Sequence, residues 1–220
     1  PGLIDFHAHG QNIPADRMQA FDGVTTALEL ESGILPVAAW YDNQEKAGRV
    51  LNYGVSAAWT YARVSALEDL EPEPNLKWFQ DAYALTRWVN DVSTDEQQQR
   101  ILSMIEQGIK DGSIGIGLNS GYAPGYGYKE VLAVHQLAAK YGVPTFTHIR
   151  NLSKVDPNSS IQAYGELISF ATAAGSHVHI CHLNSTSLSD ISLAVRILRD
   201  AQQRGANITV EAYPYGAGSG

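Results

Sequence analysis

The sequence predicts an α/β fold, a TIM-like (β/α)8 barrel, on three observations. Short apolar runs of strand character alternate with helical patterns of ten or more residues. Seven such runs come close to the eight strands of a barrel, and histidines and carboxylates sit at the carboxyl ends of several, where barrels build their sites. The strand runs are 3–9, 24–31, 55–62, 114–118, 144–150, 177–183 and 208–215; helical patterns cover 37–51, 76–89, 96–109, 129–140, 160–173 and 188–203. At 220 residues the chain is shorter than the roughly 250 of a typical barrel. The expectation is one domain over 1–220, incomplete at its C-terminal end, with the eighth strand absent. A doubly wound open sheet is the alternative, weakened because Gly115-Ile116-Gly117 lacks the third glycine and helix start of a dinucleotide loop.

In the first run, Leu3, Ile4 and Phe6 fit a short buried strand. Residues of equal parity share a face, which groups Asp5, His7 and His9. In the second, Thr25 to Glu31 alternates apolar residues with Glu29 and Glu31. An unpaired carboxylate among the outer helices would cost several kcal/mol, so both are expected to point inward, with Glu31 level with the two histidines. Residues 68–75, with Pro72 and Pro74, read as a surface loop, and Thr94-Asp95-Glu96-Gln97 reads as a capping box. Gly142 and Gly175 mark helix ends, and Ser187 precedes the last helical pattern at Leu188.

The fifth run places His148 and Arg150 on one face at its end. The sixth ends in His182, with Cys181 on the opposite face as a buried helix-facing thiol. His177 and His179 begin that run and are expected to be structural or exposed, far from the mouth. His135, in a helix with Val131 and Val134, is expected to be packed or at the surface.

Net charge is −8, without a Lys/Arg cluster, which disfavours nucleic acid and anionic membranes and favours small-molecule chemistry. No run of about 18 apolar residues and no signal-peptide pattern occurs, so a cytoplasmic location is the default expectation. The start at Pro1, with a strand under way, suggests part of a longer polypeptide. One cysteine excludes an internal disulfide and a cysteine-rich zinc module, so any metal rests on histidines and carboxylates.

His7, His9, Glu31, His148 and His182, at the ends of the first, second, fifth and sixth runs, form a set suited to zinc or a related divalent ion. Taken singly, each histidine also reads as a hydrogen-bonded structural residue, and Glu31 as a salt-bridged one.

Further segments add a resemblance: 1–10, Gly23-Val24-Thr25-Thr26, residues 117–125 (Gly-Leu-Asn-Ser-Gly-Tyr-Ala-Pro-Gly), Thr147-His148-Ile149-Arg150 and residues 212–219 (Ala-Tyr-Pro-Tyr-Gly-Ala-Gly-Ser). With the His-x-His these resemble the amidohydrolase superfamily, specifically its D-aminoacylase (N-acyl-D-amino-acid deacylase) group. The likeness implies a metal-dependent barrel binding one or two Zn2+, with His7, His9, His148 and His182 as ligands. It implies hydrolysis of N-acyl-D-amino acids within a longer enzyme, this chain lacking any N-terminal β-sandwich. Glu31-Ser32 stands where the group commonly has a metal-binding cysteine, the fourth strand has no lysine, and Asn184 replaces a basic residue. Residues 59–64 replace a Gly-His motif, and the superfamily's proton-handling aspartate would lie on the eighth strand, beyond Gly220.

On this reading Arg150, Asn184, Tyr122 and Tyr215 present hydrogen bonds to the substrate carbonyl or carboxylate, with scaffold roles as the plain alternative; Tyr126 and Tyr128 lie in a glycine-rich loop of less predictable geometry. The rival functions are another amidohydrolase, acting on cyclic amides or isoaspartyl dipeptides, and a noncatalytic binding module on the same barrel.

Overall fold

A computed structural model describes residues 2–216, so residues 217–219 of the last motif lie outside the described part. The chain runs β1 (Leu3–Asp5), α1 (Ile13–Phe21), β2 (Val24–Ile34), α2 (Val37–Ala47), β3 (Asn52–Ala58), α3 (Trp59–Glu68), α4 (Leu76–Ala82), α5 (Arg87–Asn90), α6 (Asp95–Lys110), β4 (Ile116–Asn119), α7 (Tyr128–Tyr141), β5 (Thr145–His148), α8 (Ser160–Ala174), β6 (Val178–Ile180), α9 (Leu183–Thr186), α10 (Ile191–Gln203) and β7 (Ile208–Val210). The strands pair in parallel in the order β1 to β7. A doubly wound sheet would reverse its strand order midway. This unreversed order, with helices between the strands, is a partial TIM barrel. No helix among the described residues is long and apolar enough to cross a membrane.

Local signals explain most elements. Thr94 and Gln97 form the expected reciprocal capping box, and Gly142 and Gly175 end α7 and α8 at φ of 66° and 67°. Ser187 does not cap α10, which starts at Ile191; its hydroxyl bonds Tyr164 Oη at 2.8 Å instead. The 76–89 pattern breaks into α4 and α5. Three helices went unread: α1, α3 and the four-residue α9. Helix α1 has an Asn12 cap, accepting from Ala15 N–H at 2.9 Å, but leaves Met18 and Phe21 exposed, so it shows little apolar periodicity. Helix α3 begins where the third strand was expected to continue. Every residue from Trp59 to Leu67 is buried, including Thr60, Arg63 and Ser65, so no polar face at helical spacing marks the helix.

Leu3, Ile4 and Phe6 are not buried: they are 64%, 57% and 47% exposed, because β1 pairs only with β2 and has a free edge. The main core lies between the outer sheet face and the helices, around Trp40, Trp59, Trp88, Tyr164 and Phe170. Within it Arg63 and Glu130 pair at 2.5 Å, both fully buried. Trp59 Nε1–H and Ser93 O–H also donate to Glu130, and Arg63 donates to the carbonyls of Trp88 and Asp91. His135 is packed against Phe170, ring centroids 4.8 Å apart, with Nδ1 3.1 Å from Ser176 Oγ.

Two outcomes follow from this layer. Arg63→Met strands a buried carboxylate and two carbonyls, and should cost about 3–5 kcal/mol in urea unfolding; adding Glu130→Gln should recover part of that. Burial pushes His135 down from 6.5 to about 3. Between these values the unfolded chain binds a proton that the folded chain does not, so the associated stability is present above pH 6.5 and is lost as pH falls toward 3. His135→Gln should therefore flatten the fall in unfolding free energy from pH 6.5 to 4 by up to about 1.4 kcal/mol per pH unit. An unchanged slope would contradict the buried neutral ring.

Candidate metal centre

Glu31 is 3% exposed and sits where β2 departs from regular pairing: five positions of β2, from Glu29 to Ile34, pass only two of β3. Ser56 Oγ–H caps the freed Leu30 carbonyl at 2.6 Å. The irregularity turns Glu29 and Glu31 both inward. Glycines let neighbouring backbone approach: a Cβ at Gly117 would meet the Glu31 carbonyl oxygen at 2.6 Å, and one at Gly121 would meet His148 Cδ2 at 2.7 Å.

Four imidazoles converge on the Glu31 carboxylate. Its Oε1 lies 3.0 Å from His148 Nδ1 and 2.6 Å from His182 Nε2; its Oε2 lies 3.2 Å from His7 Nε2 and 3.4 Å from His9 Nε2. The other ring nitrogens on the first segment meet carboxylates too, His7 Nδ1 at 2.5 Å from Glu211 and His9 Nδ1 at 2.9 Å from Glu29. Strand β1 stops at Asp5, and His7 and His9 lie on the extended segment beyond it.

The electrostatics favour added positive charge. Burial alone would lower the His7 and His9 pKa values, but hydrogen bonds to Glu211 and Glu31, and to Glu29 and Glu31, raise them to about 9 and about 10. Burial would raise Glu31, yet the four imidazoles hold it well below the usual carboxylate range. A divalent ion would meet the same demand by displacing ring protons. The donor set fits one: ligands of a tetrahedral zinc at 2.0–2.1 Å lie about 3.3 Å apart, near the spacing of His7 and His9 from Glu31 Oε2. Two groups, His7/His9/Glu31 and Glu31/His148/His182, have all donor atoms within 4.8 Å of one another, as does a third, His7/Cys181/Glu211.

The structure brings together the five residues expected as ligands, and departs from the sequence reading around them. Asp5 does not share their face; its carboxylate accepts from His7 N–H and from Gln19 Nε2–H of α1. Cys181 points into the barrel, with Leu30 and Phe146, not toward the helices. Cys181 keeps the inward parity of His179, opposite to Val178 and Ile180, and the left-handed φ of 35° at His182, just past β6, breaks the alternation so that His182 reaches Glu31 as well. Burial and the negative charge of Glu31 and Glu211 raise the Cys181 pKa well above normal, so it is a thiol. His179 is buried, and its Nε2 reaches Glu211 at 3.2 Å.

Of the four residues expected to contact substrate, Tyr122 lies beside the centre, its ring centroid 5.2 Å from His148. Tyr83, unread in the sequence, packs edge-on to it at 6.1 Å. Asn184 donates to the Tyr213 carbonyl at 3.2 Å, and its buried Oδ1 has no partner. Arg150 is diverted: its guanidinium stacks 3.4 Å from the Tyr126 ring centroid, pairs with Glu166 at 3.2 Å and lines a cleft with Asn151 and Gln162. Tyr215 is 65% exposed and donates to Asp22, in the turn that leads into the amino end of β2, so it lies away from the mouth. Glu211, just past β7, was missed, although a carboxylate ending an apolar run is the signal that marked Glu31.

Glu31→Gln removes the charge that both imidazole pairs share. It should abolish stoichiometric zinc retention after loading and gel filtration, measured by atomic emission, where Glu166→Gln should leave it intact.

No protein-family model and no curated protein sequence matches the chain. Solved structures do. A crystal structure of D-aminoacylase described as defining a novel subset of amidohydrolases aligns at TM-score 0.76 and 19% identity, covering 99% of this chain and 48% of that one. N-acyl-D-glutamate deacylase from Bordetella bronchiseptica, complexed with zinc and a phosphonate mimic of the tetrahedral intermediate, aligns at 0.76 and 18%, covering 98% and 48%. A D-aminoacylase studied for its binuclear metal centre aligns at 0.71 and 19%, covering 98% and 48%. The chain spans about half the length of these structures. At such identities the likeness is one of fold: the chain shares the partial (β/α) barrel seen in these structures.

Proposed function

We propose that this chain is the metal-bearing part of an amidohydrolase that cleaves N-acyl-D-amino acids by attack of a zinc-activated water on the amide carbonyl. The observation that carries the reading is the buried Glu31 carboxylate, one oxygen facing the two imidazoles of the segment after β1 and the other facing one imidazole each from the ends of β5 and β6. His7 and His9 would hold one ion, His148 and His182 a second, with Glu31 between them in place of the thiolate that the resemblance leads one to expect. Such an ion, when bound, would supply a water of pKa near 7 and a Lewis acid for the carbonyl. Tyr122 and Tyr83 form an aromatic wall against His148, suited to hold an apolar substrate group and exclude water. The unpartnered Asn184 Oδ1 is an acceptor for a substrate N–H. The fold likeness to D-aminoacylase and N-acyl-D-glutamate deacylase supports this substrate class.

The complete polypeptide, loaded with zinc, should release free amino acid from N-acetyl-D-amino acids in preference to their L forms and to cyclic amides. His148→Ala should lower kcat/KM by more than the roughly 100-fold typical of changes behind the ligands. Absence of stoichiometric metal together with absence of turnover would overturn the enzyme reading, and preferential cleavage of cyclic amides would reassign the substrate.

A further inference from the structure

Glu211 has no part in the chemistry above, yet three pieces of the centre meet on it. Its Oε1 accepts from the His182 backbone N–H at 3.3 Å and lies 2.5 Å from His7 Nδ1, and its Oε2 lies 3.2 Å from His179 Nε2. Its main chain is fixed on both sides: Glu211 N–H donates to the Ile180 carbonyl at 3.0 Å, and its carbonyl accepts from Leu183 N–H at 2.9 Å. The carboxylate is thus anchored to the β6–α9 turn and reaches across the free edge of the sheet to the segment after β1.

An imidazole can offer a lone pair at one nitrogen only when its proton sits on the other, and a carboxylate beside Nδ1 settles which. We propose that Glu211 is the positioning residue for His7, holding the ring proton at Nδ1 so that Nε2, 3.2 Å from Glu31, faces the ion. The inference rests on the metal reading above. Glu29 stands in the same relation to His9, with Nδ1 against the carboxylate and Nε2 toward Glu31. His148 differs, presenting Nδ1 itself to Glu31, so this pattern belongs to the first imidazole pair. A rival role is direct ligation, because Glu211, Cys181 and His7 Nδ1 could themselves surround an ion.

The test is zinc affinity of the complete polypeptide by competition with a chromophoric chelator, for wild type, Glu211→Gln, His7→Ala, the double variant and Cys181→Ser. The amide of Gln can still accept from the His182 N–H, but it no longer offers a carboxylate to the ring. Glu211→Gln should weaken by about 10–100-fold the zinc that His7→Ala abolishes, and leave any other zinc within about threefold. It should add nothing in the His7→Ala background, and Cys181→Ser should bind as wild type. Unchanged affinity in Glu211→Gln, equal loss at all zinc positions, a further loss in the double variant, or loss in Cys181→Ser would each overturn the inference. Should Glu211→Gln not fold by near-ultraviolet circular dichroism, Glu211→Asp, whose carboxylate falls short of the ring, is expected to show the same selective loss, and its absence would overturn the inference equally. Wild type that takes up no zinc would instead remove the metal reading itself.

Discussion

A carboxylate withdrawn from water costs several kcal/mol unless charge or hydrogen bonds replace the lost hydration. Glu31 is in that position, buried at the mouth of the barrel, and the structure around it supplies the replacement. The pairing irregularity of β2, the close approach of Gly117, the turn at His182 and the segment after β1 each bring a group to within reach of its two oxygens. Strands remote from one another in sequence are thereby tied at one point. The ends of the sheet, which make no pairing with each other among the described residues, also meet there through His7 and Glu211.

The chemistry of the centre follows from an excess of carboxylate over fixed positive charge. Glu29, Glu31 and Glu211 face imidazoles whose proton affinity they raise or share. Such a site takes up positive charge, as protons or as a cation, and neutral imidazoles with carboxylates are the donors that zinc and related ions accept. The buried Cys181 thiol beneath them is kept protonated by its burial and by the same negative field, which separates this centre from one built on a thiolate.

Behind the sheet the structure answers to packing. The Arg63–Glu130 pair is embedded among aromatic side chains with every strong donor directed at an acceptor, and it joins α3 to α7 behind the sheet.

The alternation of strands and helices, the capping box at Thr94, the glycine ends of α7 and α8 and the four histidines around Glu31 were legible because each depends on local chemistry or on side-chain parity. Parity holds only while a strand remains a strand. At His182 a left-handed residue broke the alternation, so that His182 and Cys181 both lie inward, and at β1 the end of pairing after Asp5 freed Asp5 from the face of His7. Helix α3 was hidden because complete burial erases periodicity, and Tyr215 and Arg150 found partners in Asp22 and Glu166 that no spacing announces. The sequence by itself therefore determined the class of fold and which side chains gather at Glu31. Only the tertiary structure decided which carboxylate backs which imidazole, because that depends on contacts such as His7 with Glu211, which lie far apart in the chain and meet only when the sheet curls.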